Sequence, residues 1–197
     1  MNSEVPVVTI DHVFNNRMAI LSDNVSGLKA LVRQAWACGH RRIAFIHGEK
    51  TAVTENRLAG FYQASEELGL KVPEEYVREG ICHDADRCAA ETMALLALPQ
   101  RPTCIIFPDD FSALGGYNAL AEAGLSIPED ISVMGYDGIY LSRVVKPSLV
   151  TYQQNTKALG RLAADKLIEL IEHPRVTLPE QIRVSGKLLD GGSVRIL

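Results

Sequence analysis

The sequence predicts an α/β fold in which a parallel sheet lies between two layers of helices. Strand-like and helix-like segments alternate four times between residues 22 and 150. The strand-like segments, such as "RRIAFIHG" and "TCIIFPDD", are too continuously apolar to leave one face of a sheet in water. Strands of this kind, separated by amphipathic helices, are typical of a three-layer α/β domain.

Four helices are predicted between these strands from apolar residues that recur every three or four positions. They are "SGLKALVRQAWACG", "NRLAGFYQASEELG", "DADRCAAETMALLAL" and "SALGGYNALAEAG". Gly39, Gly69 and Gly124 stand where three of them are expected to end, and Asp84 or Asp86 is expected to cap the third. Asp110 is expected to cap the fourth helix, near Ser112.

Two consecutive glycines, Gly115 and Gly116, lie inside the fourth predicted helix. Each costs about 1 kcal/mol relative to alanine in a helix interior. We therefore expect them to mark a close contact with a neighbouring element.

The alternation stops after residue 150. "PSLVTYQQN" is predicted to be extended, "TKALGRLAADKLIELIEH" a long helix, and "EQIRVSGKLLDGGS" a β-ribbon. At the other end of the chain, "VPVVTID" predicts one short buried strand.

Composition narrows the functional classes. The 197 residues are 47% hydrophobic and carry a net charge of −4, which suits a folded protein and does not favour a nucleic-acid-binding surface. No apolar run approaches the ~20 residues of a membrane helix, and no secretory signal is expected. The four cysteines do not have the spacing of a zinc site, so neither a metal nor a cofactor is expected.

Polar residues follow nearly every predicted strand. Asp11, Asp109, Asp137 and Gln154 stand at strand ends, and Arg57 lies in the first turn of the helix after "IAFIHG". In an open α/β sheet, ligands bind at the carboxyl ends of the strands. Carboxylates, an amide and a guanidinium suit a polyol, and an aromatic ring (Tyr136, Phe111 or Tyr62) is expected to face it.

Structural roles compete with this interpretation. Asp137 before Gly138 is also typical of a turn, and an arginine on a helix is more often solvated. An enzyme is not expected, because the phosphate-binding and nucleophile motifs are missing. Asp109 and Asp110 are not expected to act as a catalytic pair, since adjacent residues at a strand end point in opposite directions.

Several stretches together resemble the LacI/GalR family of bacterial transcription regulators. They are "GHRRIAFIHG", "RLAGFYQASEELGL", "DDFSALGGYNALAEAGLSIPEDISVMGYDG" and "PSLVTYQQNTKALGRLAADKLIEL". The resemblance runs from "VPVVTID" to "LLDGGS", and the pattern G-L-x-I-P-E-D-I-S-V-x-G-Y-D is its most specific part.

The resemblance implies a fold like that of type I periplasmic binding proteins, with two α/β lobes, three crossovers and an effector in the cleft. It implies a cytoplasmic homodimer or higher oligomer whose operator affinity responds to a small molecule, often a sugar or purine. Arg57 matches the family's effector-binding arginine and Asp137 its ligand-contacting aspartate. Asp11 and Gln154 match effector-facing positions, and Asp109 falls where members often carry Asn or Ser.

Two departures from the family pattern stand out. Gly138 replaces the second aspartate of the usual pair. The chain also begins at what corresponds to a late strand of the first lobe, so we expect the DNA-binding headpiece to be absent and operator DNA not to be bound specifically.

The resemblance implies four regions. Residues 1–21 are a remnant of the N-terminal lobe, 22–150 the C-terminal effector-binding lobe, 151–181 a crossover and helix of the N-terminal lobe, and 182–197 a ribbon returning to the C-terminal lobe. With one strand and one helix, the second lobe is only partly present. Residues 1–20 and 153–174 are therefore expected to be poorly ordered or paired with another copy.

The leading hypothesis is the effector-sensing and dimerisation core of a LacI-type regulator, with a carbohydrate as effector and no contact with a membrane. The first alternative is a secreted sugar-binding protein of a transporter, which shares the fold and is distinguished by an upstream signal peptide. The second alternative is a sugar-processing enzyme, which sugar turnover would reveal.

Overall fold

The computed structural model describes residues 5–14, 17–173 and 180–197. The chain forms two compact units. The larger consists of Asn24–Gln153 and Lys187–Leu197, and the smaller of Met1–Asp23 and Gln154–Gly186. The breaks fall after Asp23, Gln153 and Gly186, where the sequence placed them after residues 21, 150 and 181.

The larger unit contains a six-stranded sheet in the order β4-β3-β5-β6-β7-β9. Its strands are β3 (Ile43–His47), β4 (Val77–Glu79), β5 (Cys104–Ile106), β6 (Ser132–Asp137), β7 (Val150–Gln153) and β9 (Lys187–Leu189). Neighbouring strands are parallel except β9, which pairs antiparallel with β7. The predicted parallel sheet is confirmed.

Helices cover both faces of this sheet. They are α1 (Asn24–Ala37), α2 (Ala52–Glu67), α3 (Ala85–Leu96), α4 (Asp110–Glu122) and the short α5 (Leu141–Val144). Phe45, Ile106 and Tyr136 pack against α1 and α2, whereas the alternate strand residues Ile46 and Ile105 pack on the side of α3 and α4. Because both faces are buried, the strands have no polar side, as the sequence predicted.

The predicted C-terminal ends of α1, α2 and α4 are confirmed, but α2 begins at Ala52 and not near Asn56, so Arg57 lies in its second turn. Gly39, Gly69 and Gly124 adopt positive φ directly after α1, α2 and α4. In each case the amide of the next residue bonds the carbonyl five residues earlier, which satisfies a carbonyl left open by the helix end. Asp84 caps α3 through the Arg87 amide.

The predicted cap of α4 is wrong by one residue. Asp109, and not Asp110, accepts the Ser112 amide hydrogen bond and is the N-cap. Asp110 is the first helical residue and its side chain points elsewhere. Which of the two adjacent aspartates is the N-cap depends on the residue at which the helix begins. Helix propensity does not determine that residue.

The smaller unit is a three-stranded parallel sheet with one helix. Its order is β1 (Val8–Ile10), β2 (Met18–Ser22) and β8 (Gln181–Val184), and α6 (Thr156–Glu172) packs on β1 and β2. Met18, Ile20 and Leu159 form its buried core.

The expectation that this unit retains one strand and one helix is wrong. β2 and β8 give the unit two further strands, and β1 pairs with β2 along Val8–Ile10. The predicted ribbon is also wrong, because β8 pairs with β2 while β9 pairs with β7. Its alternating pattern reflects two strands in two different sheets.

Candidate functional site

Arg57 is a buried arginine on the inward face of α2, with 7% of its surface exposed. Its Nε donates to Asn24 Oδ1 at 2.9 Å, and its Nη1 donates to the carbonyl of Pro108 at 2.6 Å. These bonds connect α2 to the start of α1 and to the segment that follows β5. The solvated role that an isolated arginine suggests does not apply here.

The Arg57 guanidinium lies over the ring of Tyr136, with its Cζ 3.7 Å from the ring centroid. Its Nη2 lies 3.6 Å from Asp137 Oδ1. Tyr136 in turn packs on Tyr152, at 5.3 Å between ring centroids. An aromatic face, two hydrogen bonds and a carboxylate therefore hold the guanidinium in one orientation.

Tyr136 does not provide the open aromatic face that the sequence suggested for a ligand. Tyr136 is 1% exposed, because it lies in the hydrophobic core and Arg57 lies over its ring. Phe111 and Tyr62 are the exposed members of the predicted aromatic set, at 41% and 49%.

Asp137 ends β6 and keeps a side chain that is 20% exposed beside the 9% exposed side chain of Arg57. It adopts φ +99°, which is uncommon for a residue with a side chain, and Gly138 follows at φ +68°. This turn directs the carboxylate toward Arg57. The two residues that the sequence placed at separate strand ends are thus brought together.

Gly138 is needed for this turn. A Cβ at residue 138 would overlap the Cβ of Gln153, and its positive φ disfavours any other residue type. We expect Gly138→Asp, which restores the family's usual residue, to lower the free energy of unfolding by about 1–3 kcal/mol. Urea unfolding measures this, with Gly69→Asp as control, since residue 69 also has positive φ but has nothing within 4 Å of a Cβ. Equal losses in both variants would show that φ alone matters.

Asp109 is almost fully buried, with 2% of its surface exposed. Its carboxylate accepts from the amide and hydroxyl of Ser112 at 2.7 and 2.8 Å, and from the amide of His83 at 2.9 Å. These bonds connect the start of α4 with the segment between β4 and α3. Ligand contact by Asp109 stays a prediction.

Asp110 was not predicted as a site residue, yet it lies directly behind the turn at Asp137. Its Oδ2 accepts from the amide of Ile139 at 2.8 Å, and its Oδ1 accepts from the hydroxyl of Thr151. Burial raises the pKa of the Asp110 carboxyl to about 7. The sequence signal for it was present in "DDFSALGG", but cap preference gave it a different role.

Asp11 and Gln154 lie together in the smaller unit. Asp11 accepts from the amide of Ser22 at 2.5 Å and from its hydroxyl at 2.9 Å. The Ser22 hydroxyl, which has a single proton, also lies 2.5 Å from Gln154 Oε1, so it donates to one of these two oxygens at a time. Ser22, which connects the two, was missed because "MAILS" was not recognised as a strand.

Asp137 accepts hydrogen bonds and Arg57 donates them, a combination that suits groups which both donate and accept, such as hydroxyls. Within residues 5–14, 17–173 and 180–197, no group of three or more His, Cys, Asp or Glu is arranged to hold a metal ion. Over the same residues, none of the helices is both long and apolar enough to cross a membrane.

A separate concavity of about 410 Å³ lies beside α5. Arg143, Lys146, Ser148 and Asp190 contribute to its lining. None of the five predicted site residues takes part in it.

Comparison with known proteins places the chain in a family. A model of the periplasmic binding protein-like domain matches residues 32–194. The PurR transcriptional repressor of Haemophilus influenzae (strain PittEE) is 36% identical over 174 residues, which are 87% of this chain and 51% of that protein. The chain belongs to the LacI/GalR family.

Other LacI/GalR relatives agree with this assignment. The ribose operon repressor of H. influenzae (strain ATCC 51907) is 34% identical over 173 residues, 86% of this chain and 52% of that protein. A LacI family regulator from Enterococcus faecium, crystallised with bound ribose, superimposes with a TM-score of 0.86 at 26% identity, covering 98% of this chain and 71% of that one. The chain spans about half the length of the curated LacI/GalR relatives it matches.

Proposed function

We propose that this chain is the effector-sensing and dimerisation core of a LacI-type transcription regulator, and that its effector is a sugar or related metabolite. The observation that carries the proposal is the pairing of Asp137 with an immobilised Arg57 at the carboxyl end of β6. A carboxylate and a guanidinium held in this way offer an acceptor and a fork of donors to vicinal hydroxyls.

The names of two relatives support a sugar as the effector. One is a ribose operon repressor, and another is a regulator with bound ribose. Asp11, Asp109 and Gln154 are proposed as further effector contacts. In this proposal the protein acts in the cytoplasm, and a separate headpiece domain contacts operator DNA.

Dimerisation is proposed to use apolar surface around α5. Ile139, Tyr140 and Val144 are exposed at 42%, 80% and 51%. Large apolar side chains clustered in one segment are unfavourable in water, and a second copy of the chain would cover them.

The experiment that tests the effector site is Asp137→Asn. Asparagine tolerates φ +99° better than alanine, so this change removes the charge with little backbone strain. If the wild type binds a monosaccharide, affinity should fall by about 1.5–3 kcal/mol, which is roughly 10-fold to 150-fold. Calorimetry with a panel of monosaccharides, D-ribose first, measures this.

Folding should change little in Asp137→Asn. The lost ion pair is partly exposed and worth about 1 kcal/mol or less. Asp190→Asn is the matched control, because it makes the same charge change at an exposed position of the larger unit. Unaltered affinity in Asp137→Asn would remove Asp137 from the site, and a panel without any binding sugar would reject the sugar class.

A further inference from the structure

We propose that Asp110 is a positioning residue: its carboxyl group holds the turn at residues 137–139 so that Asp137 faces Arg57. Its importance for effector affinity rests on the proposed function, in which Asp137 contacts the effector. Its importance for the turn rests on the contacts of Asp110 alone.

Asp110 bridges three segments of the larger unit. It is the first residue of α4, its Oδ2 accepts from Ile139 in the turn after β6, and its Oδ1 accepts from Thr151 on β7. Asp110 is 1% exposed and Thr151 is fully buried. A carboxyl group bonded in this way in a dry environment fixes the distance between the segments it connects.

The turn needs external support because its own backbone is unfavourable. Asp137 and Gly138 are consecutive residues at positive φ, and a strained conformation persists only where the surroundings hold it. Ile139 directly follows them, and both its backbone amide and its carbonyl are hydrogen-bonded. Its amide donates to Asp110, and its carbonyl accepts from the hydroxyl of Ser142 at 2.8 Å.

The Asp110 carboxyl group lies directly against β6. A Cβ at residue 135 on β6 would overlap Asp110 Oδ1, so the glycine there allows the carboxyl group to lie against the strand. The carboxyl therefore contacts β6 at residue 135 and supports the turn that follows the same strand.

The groups around Asp110 leave its carboxyl partly protonated near neutral pH. Burial raises its pKa to about 7, the hydrogen bond from Thr151 and the backbone bonds from Ile139 and Gly138 lower it, and the nearby Asp137 raises it. Tyr117 on α4 also faces it, Arg57 lies beyond Asp137, and the adjacent Asp109 is bonded to Ser112 and His83. Both protonation states retain an oxygen that accepts from Ile139, so a neutral amide should replace the carboxyl.

The test compares Asp110→Ala with Asp110→Asn by amide hydrogen exchange, followed by NMR. In Asp110→Ala we expect the Ile139 amide to exchange at least about tenfold faster than in the wild type, relative to the Val133 amide of β6. In Asp110→Asn the ratio should stay within about threefold. A purely structural role would accelerate both amides alike and would not be rescued by asparagine, and either result overturns the proposal.

Thr151→Val provides a second route if Asp110→Ala does not fold. It keeps the side-chain shape and removes the hydroxyl that bonds Asp110, so Ile139 should exchange several-fold faster relative to Val133. An unchanged ratio would overturn the proposal. These measurements need no effector, so they decide the positioning role even if the proposed function fails.

Sugar binding adds a functional measurement. For D-ribose, or another monosaccharide of the panel that binds the wild type, Asp110→Ala should weaken affinity about tenfold or more and Asp110→Asn less than threefold. Equal affinity in both variants, with faster Ile139 exchange in Asp110→Ala, would show that Asp110 holds the turn but that the turn does not determine effector affinity.

The pH dependence of stability supplies a further test. The native Asp110 carboxyl holds its proton up to about pH 7, whereas in the unfolded chain it loses it near the usual value of 3.8. Its contribution to stability is therefore fully present below about pH 4 and is lost as pH rises to about 7. Between these limits the unfolding constant of the wild type should rise, relative to Asp110→Asn, by up to tenfold per pH unit.

The comparison with Asp110→Asn removes contributions from other groups. Burial lowers the pKa of His40, which gives stability that rises with pH near neutrality, but His40 is present in both proteins. If the unfolding constants of the wild type and Asp110→Asn depend on pH in the same way, the pKa of the buried Asp110 carboxyl is not raised.

Discussion

Arg57→Lys should abolish measurable effector binding and destabilise the protein by about 2–4 kcal/mol, although it keeps the positive charge. Arg57 uses a planar fork: Nε bonds Asn24, Nη1 bonds the carbonyl of Pro108, and the plane lies over Tyr136. A lysine ammonium is a single point and replaces at most one of these contacts. Buried hydrogen bonds to charged groups contribute about 1.5–3 kcal/mol each.

Urea unfolding and sugar calorimetry measure the two effects. Arg33→Lys is the matched control, because Arg33 pairs with Glu67 at 2.7 Å on the surface and is 56% exposed. It should change stability by less than about 0.5 kcal/mol. If Arg57→Lys behaves like Arg33→Lys, the guanidinium geometry is not what organises the site.

Gly115→Ala should lower the free energy of unfolding by about 2–3 kcal/mol, although alanine is the better helix former. A Cβ at residue 115 would overlap the carbonyl oxygen of Ala85 and lie 2.9 Å from the amide nitrogen of Ala89. These atoms belong to the backbone of α3, so relief requires α3 and α4 to move apart. The cores that they share with β3 and β5 would then lose contact.

Gly160→Ala is the control for this substitution. Gly160 is an exposed glycine inside α6, and nothing lies within 4 Å of a Cβ there. The same change should stabilise the protein by about 0.5–1 kcal/mol. A Gly115→Ala protein as stable as the wild type would mean that the two helices do not need this close approach.

Local sequence patterns predicted most of the strands and helices of the larger unit. Apolar strands, amphipathic helices and their terminal glycines depend on short-range periodicity and backbone preference, which a sequence displays directly. The glycine pair at 115–116 was interpreted as a close helix contact because its helix-breaking cost needed a reason, and the contact of Gly115 with Ala85 is that reason.

The smaller unit was predicted less well for a physical reason. "MAILS" and "QIRV" are short segments whose partners are distant in the chain: β2 pairs with β8 across more than 150 residues. "MAILS" was not predicted as a strand and "QIRV" was assigned the wrong partner, since β-structure depends on cross-strand neighbours that the local sequence does not show. The alternating "EQIRVSGKLLDGGS" suggested a local ribbon for the same reason.

By itself, the sequence determined the α/β class, the C-terminal ends of α1, α2 and α4, and the gathering of Asp137 and Arg57 at one edge of a sheet. Each of these depends on residue type and spacing along a few consecutive elements. Only the tertiary structure decided which of two adjacent aspartates caps α4 and which lies behind the turn at Asp137. It also decided that Tyr136 is covered by Arg57. Side-chain direction at a strand end depends on which groups can donate to it. Ser112 is a local donor to Asp109, but His83, which also donates to Asp109, and Ile139 and Thr151, which donate to Asp110, are distant in the chain. These distant donors come together only when the sheet has formed.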